Sequence, residues 1–271
     1  MLLLERRASE ARKLLLSMIY QAGSGHPGGS LSCVELITAL AESELFWDQG
    51  YDPQKNPNRM ILSKGHACPA LYAVAMEYGL IAKEECLLFR QLGSILQGHP
   101  HVKTTPWAEI STGSLGQGFS TGVGMALGLK HQNQSSARIY TILGDGELQE
   151  GQVWEGAMFA AHYKLDNLCV LVDYNKLQSD DLNANIMGLE PLSEKWRSFG
   201  WHALEIDGHS FKEIIEALAV AKEKHHQPTV IIAHTIKGKG VSYMENSPLW
   251  HGSVKLRDEE YQQALSDIGK F

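Results

Sequence analysis

Five short apolar stretches, separated by longer segments with helical spacing, are the feature of this sequence that most restricts its fold. The stretches are rich in Val, Ile and Leu and lie at 60–63, 138–144, 167–173, 201–207 and 228–234. Such continuous apolar character is typical of parallel strands that are buried on both faces. The segments with helical character lie at 5–20, 31–44, 68–79, 116–132, 151–163 and 210–225. This alternation predicts an α/β fold with an open, mostly parallel sheet and helices on both faces.

Composition and charge restrict the setting in which such a fold would work. The 271 residues are 44% hydrophobic and 20% charged, which is sufficient for one large core, and no linker divides them. We therefore expect a single α/β domain over 1–271. Charged residues interrupt the apolar start of the chain, so we predict a first helix and neither a signal peptide nor a membrane span. A net charge of −7 without a basic stripe argues against nucleic acid as a partner.

The four cysteines indicate a reducing compartment. They stand at Cys33, Cys68, Cys86 and Cys169, and no two of them form a C-x-x-C pair. This spacing suits neither a zinc site nor a disulfide framework, so small buried thiols in the cytoplasm are the simplest interpretation.

Two of the predicted strands run directly into side chains that carry oxygen atoms. The stretch at 138–144 leads into Asp145 and Gly146, and the stretch at 167–173 leads through one residue to Asn175. The carboxyl ends of parallel strands share one edge of a sheet, where α/β proteins bind ligands. A carboxylate and an amide oxygen suit Mg²⁺, and a glycine lets the backbone approach a phosphate closely. An isolated Asp-Gly pair is more often a tight turn, but the two strand ends together predict a metal and phosphate site.

The spacing between these residues resembles that of thiamine diphosphate enzymes. GDG at 144–146 is followed, after the 27 residues of 147–173, by Tyr174 and Asn175. The family has GDG, a spacer of this length, and then an Asn pair or Asp-Asn. Tyr174 departs from that pair, whereas Asn175 matches the member that binds the metal. The resemblance implies thiamine diphosphate and Mg²⁺ as cofactors, with Ca²⁺ or Mn²⁺ able to replace Mg²⁺.

Histidine-bearing turns make the resemblance specific to transketolases. The sequence reads SGHPGG at 24–29, SKGHACP at 63–69, GHP at 98–100, TGSLGQG at 112–118, HTIKGKG at 234–240 and WHG at 250–252. A Gly beside His26, His66, His99 and His251 indicates a turn at each of these four histidines. In this order the motifs resemble the active-site loops of transketolases, and the likeness extends from about residue 10 to about residue 255.

The resemblance implies a role for each histidine. His66 and His251 would contact the cofactor diphosphate. His26 and His99 would line the sugar channel, with His99 near the terminal hydroxyl of the donor. His26 and His251 would also move the proton as the substrate carbonyl forms and is attacked.

The same resemblance assigns the metal and cofactor contacts. Asp145, Asn175 and the carbonyl of Leu177 would hold the metal. Glu150 would join an acidic network that links the two active sites of a dimer, and Leu115 would pack against the thiazolium ring. The positions implied to contact the cofactor are His66, Gly113, Ser114, Leu115, Gly146, Glu147, Asn175 and His251.

Three positions depart from the transketolase pattern. His101 stands where an acidic residue commonly follows GHP. Ser179 stands where an apolar residue often covers the ring, and SVK follows WHG where the family often has a proline. These departures concern the fit of the substrate and leave the cofactor site intact.

A complete transketolase continues with a pyrimidine-binding domain and a C-terminal domain. The former supplies the glutamate that bonds the aminopyrimidine ring of the cofactor. This chain ends at Phe271, near the expected end of the first domain, and 256–270 predicts a last helix. We therefore expect a whole gene product that works with a separate C-terminal transketolase subunit in an α2β2 heterotetramer.

The leading interpretation is the N-terminal subunit of a transketolase. It would transfer a two-carbon ketol unit from a ketose to an aldose, as sugars or sugar phosphates, for example in pentose phosphate metabolism. Three alternatives stay open. They are the α subunit of a 2-oxo acid dehydrogenase, against which the SGHPG, KGHA and GHP loops argue; a transketolase-like enzyme of a specialised sugar or secondary pathway; and a non-catalytic scaffold or regulator.

Overall fold

A five-stranded parallel sheet forms the centre of the computed structural model, which describes residues 1–132 and 136–269. Its strands follow the order β1-β2-β3-β7-β6, and every adjacent pair is parallel. Strands β4 and β5 form a separate antiparallel ribbon. The open parallel sheet is confirmed, and each predicted apolar stretch supplies one strand. The bounds are β1 Arg59–Leu62, β2 Ile139–Gly144, β3 Leu168–Tyr174, β4 Leu177–Gln178, β5 Asp181–Leu182, β6 His202–Asp207 and β7 Thr229–His234.

Helices connect the strands and precede and follow the sheet. The α-helices of the described residues are α1 Leu2–Ala22, α2 Pro27–Leu31, α3 Val34–Ser43, α4 Cys68–Glu77, α5 Gln117–His131, α6 Gly151–His162, α7 Asn183–Ile186, α8 Leu192–Ser198, α9 Phe211–Glu223 and α10 Asp258–Ile268. Short 3-10 helices lie at Trp47–Gln49, Gly65–Ala67, Lys83–Leu88, Pro106–Ala108, Gly146–Gln149 and Pro248–Trp250.

The helices cover both faces of the sheet, as predicted. Helices α1, α3, α4, α9 and α10 enclose one core, which contains Ile142 of β2 and Leu171 of β3. Helices α5, α6 and α8 enclose the other core, which contains the next residues, Leu143 and Val172. Because successive side chains of a strand point to opposite faces, consecutive apolar residues are all buried. This explains why β1, β2, β3 and β7 lack polar alternation, whereas β6, at one edge of the sheet, is only partly covered and exposes Glu205 and Asp207.

Some short elements lie outside the predicted set. Helix α8 follows Pro191, and only its Leu192 and Trp196 are buried, which gives a weak periodic pattern. The ribbon β4–β5 has two residues in each strand and so carries no strand pattern. The predicted last helix is α10, although residue 270 lies outside the described residues. No helix of the described chain is long and apolar enough to cross a membrane.

A buried ion pair fastens the first helix to the third. Arg12 of α1 donates through Nη2 to both oxygens of Glu35 on α3, each at 2.7 Å, and both side chains are more than nine-tenths buried. His209 Nδ1 lies 3.2 Å from Glu35 Oε2. Burial alone would raise the pKa of Glu35, but Arg12 and His209 outweigh it and lower the pKa to about 2.

We expect Glu35→Gln to lower the free energy of unfolding at neutral pH by about 3 kcal/mol, because Arg12 keeps a buried charge without its counterion. The folded pKa of Glu35 is lowered from 4.5 to about 2. The ionic contribution is therefore complete above about pH 4.5 and is lost as the pH falls towards 2. Urea unfolding of both proteins at several pH values measures it. The exposed Glu223→Gln on α9 is the control, expected within about 0.5 kcal/mol of wild type. A loss that stays constant down to pH 2 would contradict this account.

Candidate functional site

Asp145 joins the loops that follow two neighbouring strands. It comes directly after β2, is 2% exposed, and accepts a hydrogen bond from the Gly146 amide at 2.8 Å through Oδ1. Its Oδ2 accepts from the amide of Lys176, beyond the end of β3. The predicted convergence of these strand ends is therefore present in the fold.

Asn175 is held in a fixed orientation at the end of β3. Its Nδ2 donates to Asp173 Oδ2 at 3.3 Å, and its Oδ1 accepts from the amide of Leu177 at 3.1 Å. Asp173 is fully buried and also accepts from Ser32 at 2.6 Å and from Lys64 and Thr235. The carboxylate thus fixes which end of the Asn175 amide is the oxygen.

A cleft of about 340 Å³ opens over these loops. It lies at the carboxyl edge of the sheet, as expected for a parallel α/β fold. Its lining residues are His26, Gly29, Lys64, His66, Leu115, Gly144, Asp145, Gly146, Glu147, Gln149, Glu150, Asn175, Leu177, Gln178, Ser179, Lys237 and His251.

Three of the four predicted histidines meet in this cleft. The ring centroids of His26 and His66 are 5.3 Å apart, those of His66 and His251 5.5 Å, and those of His26 and His251 5.9 Å. Burial, reinforced by nearby cations, lowers the pKa of His26 and of His251 to about 4 and that of His66 well below its usual value. At neutral pH the three rings are therefore neutral hydrogen-bonding groups.

Two buried lysines complete the site and were not singled out from the sequence. Lys237 is 1% exposed, and its Nζ donates to the Leu177 carbonyl at 3.1 Å and lies 3.0 Å from His251 Nδ1. Burial lowers the pKa of Lys237 to about 8. Lys64 pairs with Asp173 and donates to the Gly29 carbonyl at 2.7 Å. Burial alone would lower the pKa of Lys64, but Asp173 outweighs burial and raises it.

The other predicted site residues occupy more varied positions. Of residues 113–115, only Leu115 lines the cleft. Glu150 is exposed at its rim, and His99 is exposed beside Gly113, outside the group of three histidines. Gly113 would leave 3.5 Å between an added Cβ and His99 Cδ2, so the two loops are in contact.

Glu147 lines the cleft, but its carboxylate is engaged elsewhere. Oε1 accepts from the Ser63 hydroxyl and, at 2.7 Å, from the Gly116 amide, and Oε2 accepts from the Gly144 amide at 3.0 Å. The side chain therefore fastens three loops together. Only the backbone of Glu147 is left for the contact with a ligand that was predicted for this residue.

The charges of the cleft fit a metal bound to a diphosphate. Burial, with Asp173 nearby, raises the pKa of Asp145 to about 7, and Lys237 only partly offsets this, so a bound cation would stabilise the carboxylate. Lys237 is a buried ammonium whose Nζ contacts the Leu177 carbonyl and His251, so a bound anion would stabilise it. Among the described residues, no group of three or more His, Cys, Asp or Glu side chains is placed to hold a metal alone. A metal at Asp145 would therefore need Asn175, the Leu177 carbonyl and phosphate oxygens as further ligands, as Mg²⁺ commonly does.

One protein-family model matches nearly the whole length of the sequence. Residues 4–270 match the family model described as transketolase, thiamine diphosphate binding domain. The chain therefore belongs to the transketolase family and is a thiamine diphosphate binding domain. The transketolase of Pichia stipitis in complex with xylulose 5-phosphate superposes with a TM-score of 0.91 at 30% identity, over 98% of this chain and 40% of that one. The Campylobacter jejuni enzyme gives 0.87 at 32% identity, over 99% and 43%.

Relatives of similar length define the type of transketolase. The chain is 42% identical to the 6-deoxy-6-sulfo-D-fructose transketolase subunit of Clostridium sp. (strain MSTE9), over 98% of this chain and 96% of that protein. It is 38% identical to one of the subunits of the apulose-4-phosphate transketolase of Phocaeicola vulgatus, over 98% and 94%. Against human transketolase the identity is also 42%, but the match covers 95% of this chain and 42% of the human protein. The chain is thus the N-terminal subunit of a two-subunit transketolase.

Proposed function

We propose that this subunit holds the diphosphate and metal of thiamine diphosphate in an enzyme that transfers a two-carbon ketol unit from a ketose to an aldose. One observation carries the proposal: three neutral histidines line the same cleft as two buried groups of opposite charge, Asp145 and Lys237. The pair suits a metal diphosphate, and the histidines suit the hydroxyl and carbonyl oxygens of a sugar.

Residues on the floor of the cleft would hold the cofactor. Asp145, Asn175 Oδ1 and the Leu177 carbonyl would bind Mg²⁺, for which Ca²⁺ or Mn²⁺ could substitute. Thiamine diphosphate, when bound, supplies the nucleophilic carbon and the electron sink for breaking and forming the carbon–carbon bond. The groups we assign to the cofactor are Lys237, His66, His251, Gly146, Asn175, Leu115 and, on the adjoining loops, Gly113, Ser114 and the backbone of Glu147.

The histidines that face the sugar would work as neutral groups. His26 and His251 would hydrogen-bond the reacting oxygen and move its proton, and His99 would reach the terminal hydroxyl of the donor from outside the group of three. Glu150 is exposed at the rim of the cleft, and we propose that it joins an acidic network that links the two active sites of a dimer.

A separate partner would supply the pyrimidine side of the cofactor site. We propose a C-terminal transketolase subunit with pyrimidine-binding and C-terminal domains, in an α2β2 assembly. The subunit names of the relatives support a partner. We further propose that residues 1–271 form one domain, which the single central sheet supports, and that the protein is cytoplasmic, in keeping with its four buried free cysteines.

The identity of the donor sugar has to be determined by experiment. The chain is 42% identical both to human transketolase and to the subunit of the sulfofructose enzyme, so sequence identity does not favour the substrate of either relative. We expect ketol transfer from at least one of xylulose 5-phosphate, 6-deoxy-6-sulfo-D-fructose and apulose 4-phosphate to an aldose by the reconstituted complex, without release of carbon dioxide. Chromatography of the products and trapping of labelled carbon dioxide measure the two reactions. Release of carbon dioxide from pyruvate, with no transfer from any of these ketoses, would favour the 2-oxo acid dehydrogenase reaction and overturn the proposal.

A further inference from the structure

Arg90 has an unusual backbone conformation next to the cleft. It has φ +62°, in the left-handed region that residues with a side chain seldom adopt, and its amide donates to the Leu96 carbonyl at 2.8 Å. The bond closes a loop that leads to His99. A strained backbone conformation of this kind persists only where the surrounding structure holds it in place, and such positions are common at functional sites.

The guanidinium of Arg90 lies behind His26. Nη1 donates to the Ser24 hydroxyl at 2.6 Å, and Nη2 lies 3.3 Å from Nδ1 of the His26 ring. Nε is buried without a hydrogen-bond partner in the described structure. Gly98 leaves the space for this group, since a Cβ there would lie 3.0 Å from Nε.

These contacts determine which nitrogen of His26 carries the proton. A guanidinium has five N–H donors, no acceptor, and remains charged at any physiological pH. Nδ1 of His26 must therefore accept, and in a neutral imidazole the proton then lies on Nε2. The ring lines the cleft with His66 and His251.

We propose that Arg90 is a positioning residue that holds His26 in the tautomer with its proton on Nε2, so that the ring offers an N–H donor to a substrate oxygen. The use of that donor on a sugar rests on the proposed function, whereas the tautomer does not. The charged and titratable groups that face His26 are Arg90, Lys237, His66, His99 and His251. Together with burial they keep the ring neutral.

Nitrogen NMR of the full chain with ¹⁵N-labelled histidine tests the tautomer independently of activity. His26→Gln identifies the signals of His26. In wild type we expect Nε2 to be protonated and Nδ1 to be bare from about pH 6 to 8. Arg90→Met removes the donor and should give a mixture of the two His26 tautomers. Arg90→Gln should also give a mixture, because an amide can donate to Nδ1 or accept from it, and it keeps a polar side chain at this position. Arg90→Lys, which can only donate, should restore the single tautomer.

Kinetics of the complex with its partner provide the second measurement. We expect Arg90→Met to reduce kcat/KM for the donor ketose by about 10²-fold, with partial rescue by added guanidinium and larger recovery in Arg90→Lys. The exposed Arg6→Met on α1 should change neither the spectrum nor the rate. A protonated Nδ1 in wild type, or an unchanged Nε2–H tautomer in both Arg90→Met and Arg90→Gln, would overturn the proposal. A complex without ketol transfer but with these NMR results would leave the tautomer assignment standing and count against the proposed function alone.

Discussion

Asp145→Asn is expected to weaken magnesium-dependent binding of thiamine diphosphate by roughly 10²–10³-fold. The amide cannot match the charge of a divalent cation, and leaving a buried charge without its partner costs about 3–5 kcal/mol. In the folded chain Asp145 is 2% exposed and is bonded to backbone amides of the loops after both strands.

Isothermal calorimetry on the complex with its partner, with and without Mg²⁺, measures this loss. Asp181→Asn is the matched control, because it removes an exposed carboxylate from the neighbouring β4–β5 ribbon. Thermal unfolding without cofactor measures the effect on the fold itself, where the Asn oxygen can accept from only one of the two backbone amides and the other is left unpaired at a cost of about 1–3 kcal/mol. Wild-type affinity of Asp145→Asn in saturating Mg²⁺ would refute the metal site.

The purified chain alone is expected to show no ketol transfer above roughly 1% of the activity of the complex. A missing general acid or base typically costs 10²–10⁴-fold in rate. The carboxylates that line the cleft are Asp145, Glu147 and Glu150. The first belongs to the proposed metal site, the second is bonded to three loops, and the third is exposed at the rim. We therefore expect the acid that serves the pyrimidine ring to come from the proposed partner subunit.

Mixing with the partner should restore activity and give the mass of an α2β2 heterotetramer in light scattering. Helix α6 and the turn after it offer an apolar contact, because Met158, Phe159 and Tyr163 are 55%, 40% and 45% exposed. Phe159→Glu should therefore weaken assembly, whereas Val220→Glu, at the 44% exposed position on α9, should not. Full activity of the rigorously purified chain would contradict the requirement for a partner.

The sheet was predictable because four of its five strands, β1, β2, β3 and β7, are buried by helices on both sides. The apolar stretches are long enough to be recognised without neighbours, as β3 illustrates, with all seven residues buried. Helix α8 and the ribbon β4–β5 were missed since their formation depends on packing against the rest of the fold and not on a local pattern.

The residues of the site likewise fall into some that were predictable from the sequence and some that were not. Asp145 and Asn175 were predictable because the ends of neighbouring parallel strands must converge. Lys237 and Arg90 were not, since Lys237 reaches the Leu177 carbonyl across 60 residues of sequence and Arg90 reaches His26 across 64. No spacing rule connects such pairs. Their only sequence signal was a basic residue close to a histidine motif, which is common on any protein surface.

The three hydrogen bonds of the Glu147 carboxylate bear on how this protein should be varied in directed evolution. Its carboxylate connects Ser63, Gly116 and Gly144, so a substitution in any of these loops is transmitted to the other two and to the metal loop beside them. The segment that carries Arg90 and His99 has no hydrogen bond to Glu147, although His99 contacts Gly113 of one of these loops. Libraries that aim to change the accepted sugar should therefore randomise the residues around His99 and keep Arg90 and the loops bonded to Glu147 constant, so that altered selectivity is obtained without loss of cofactor loading or of the contact with His26.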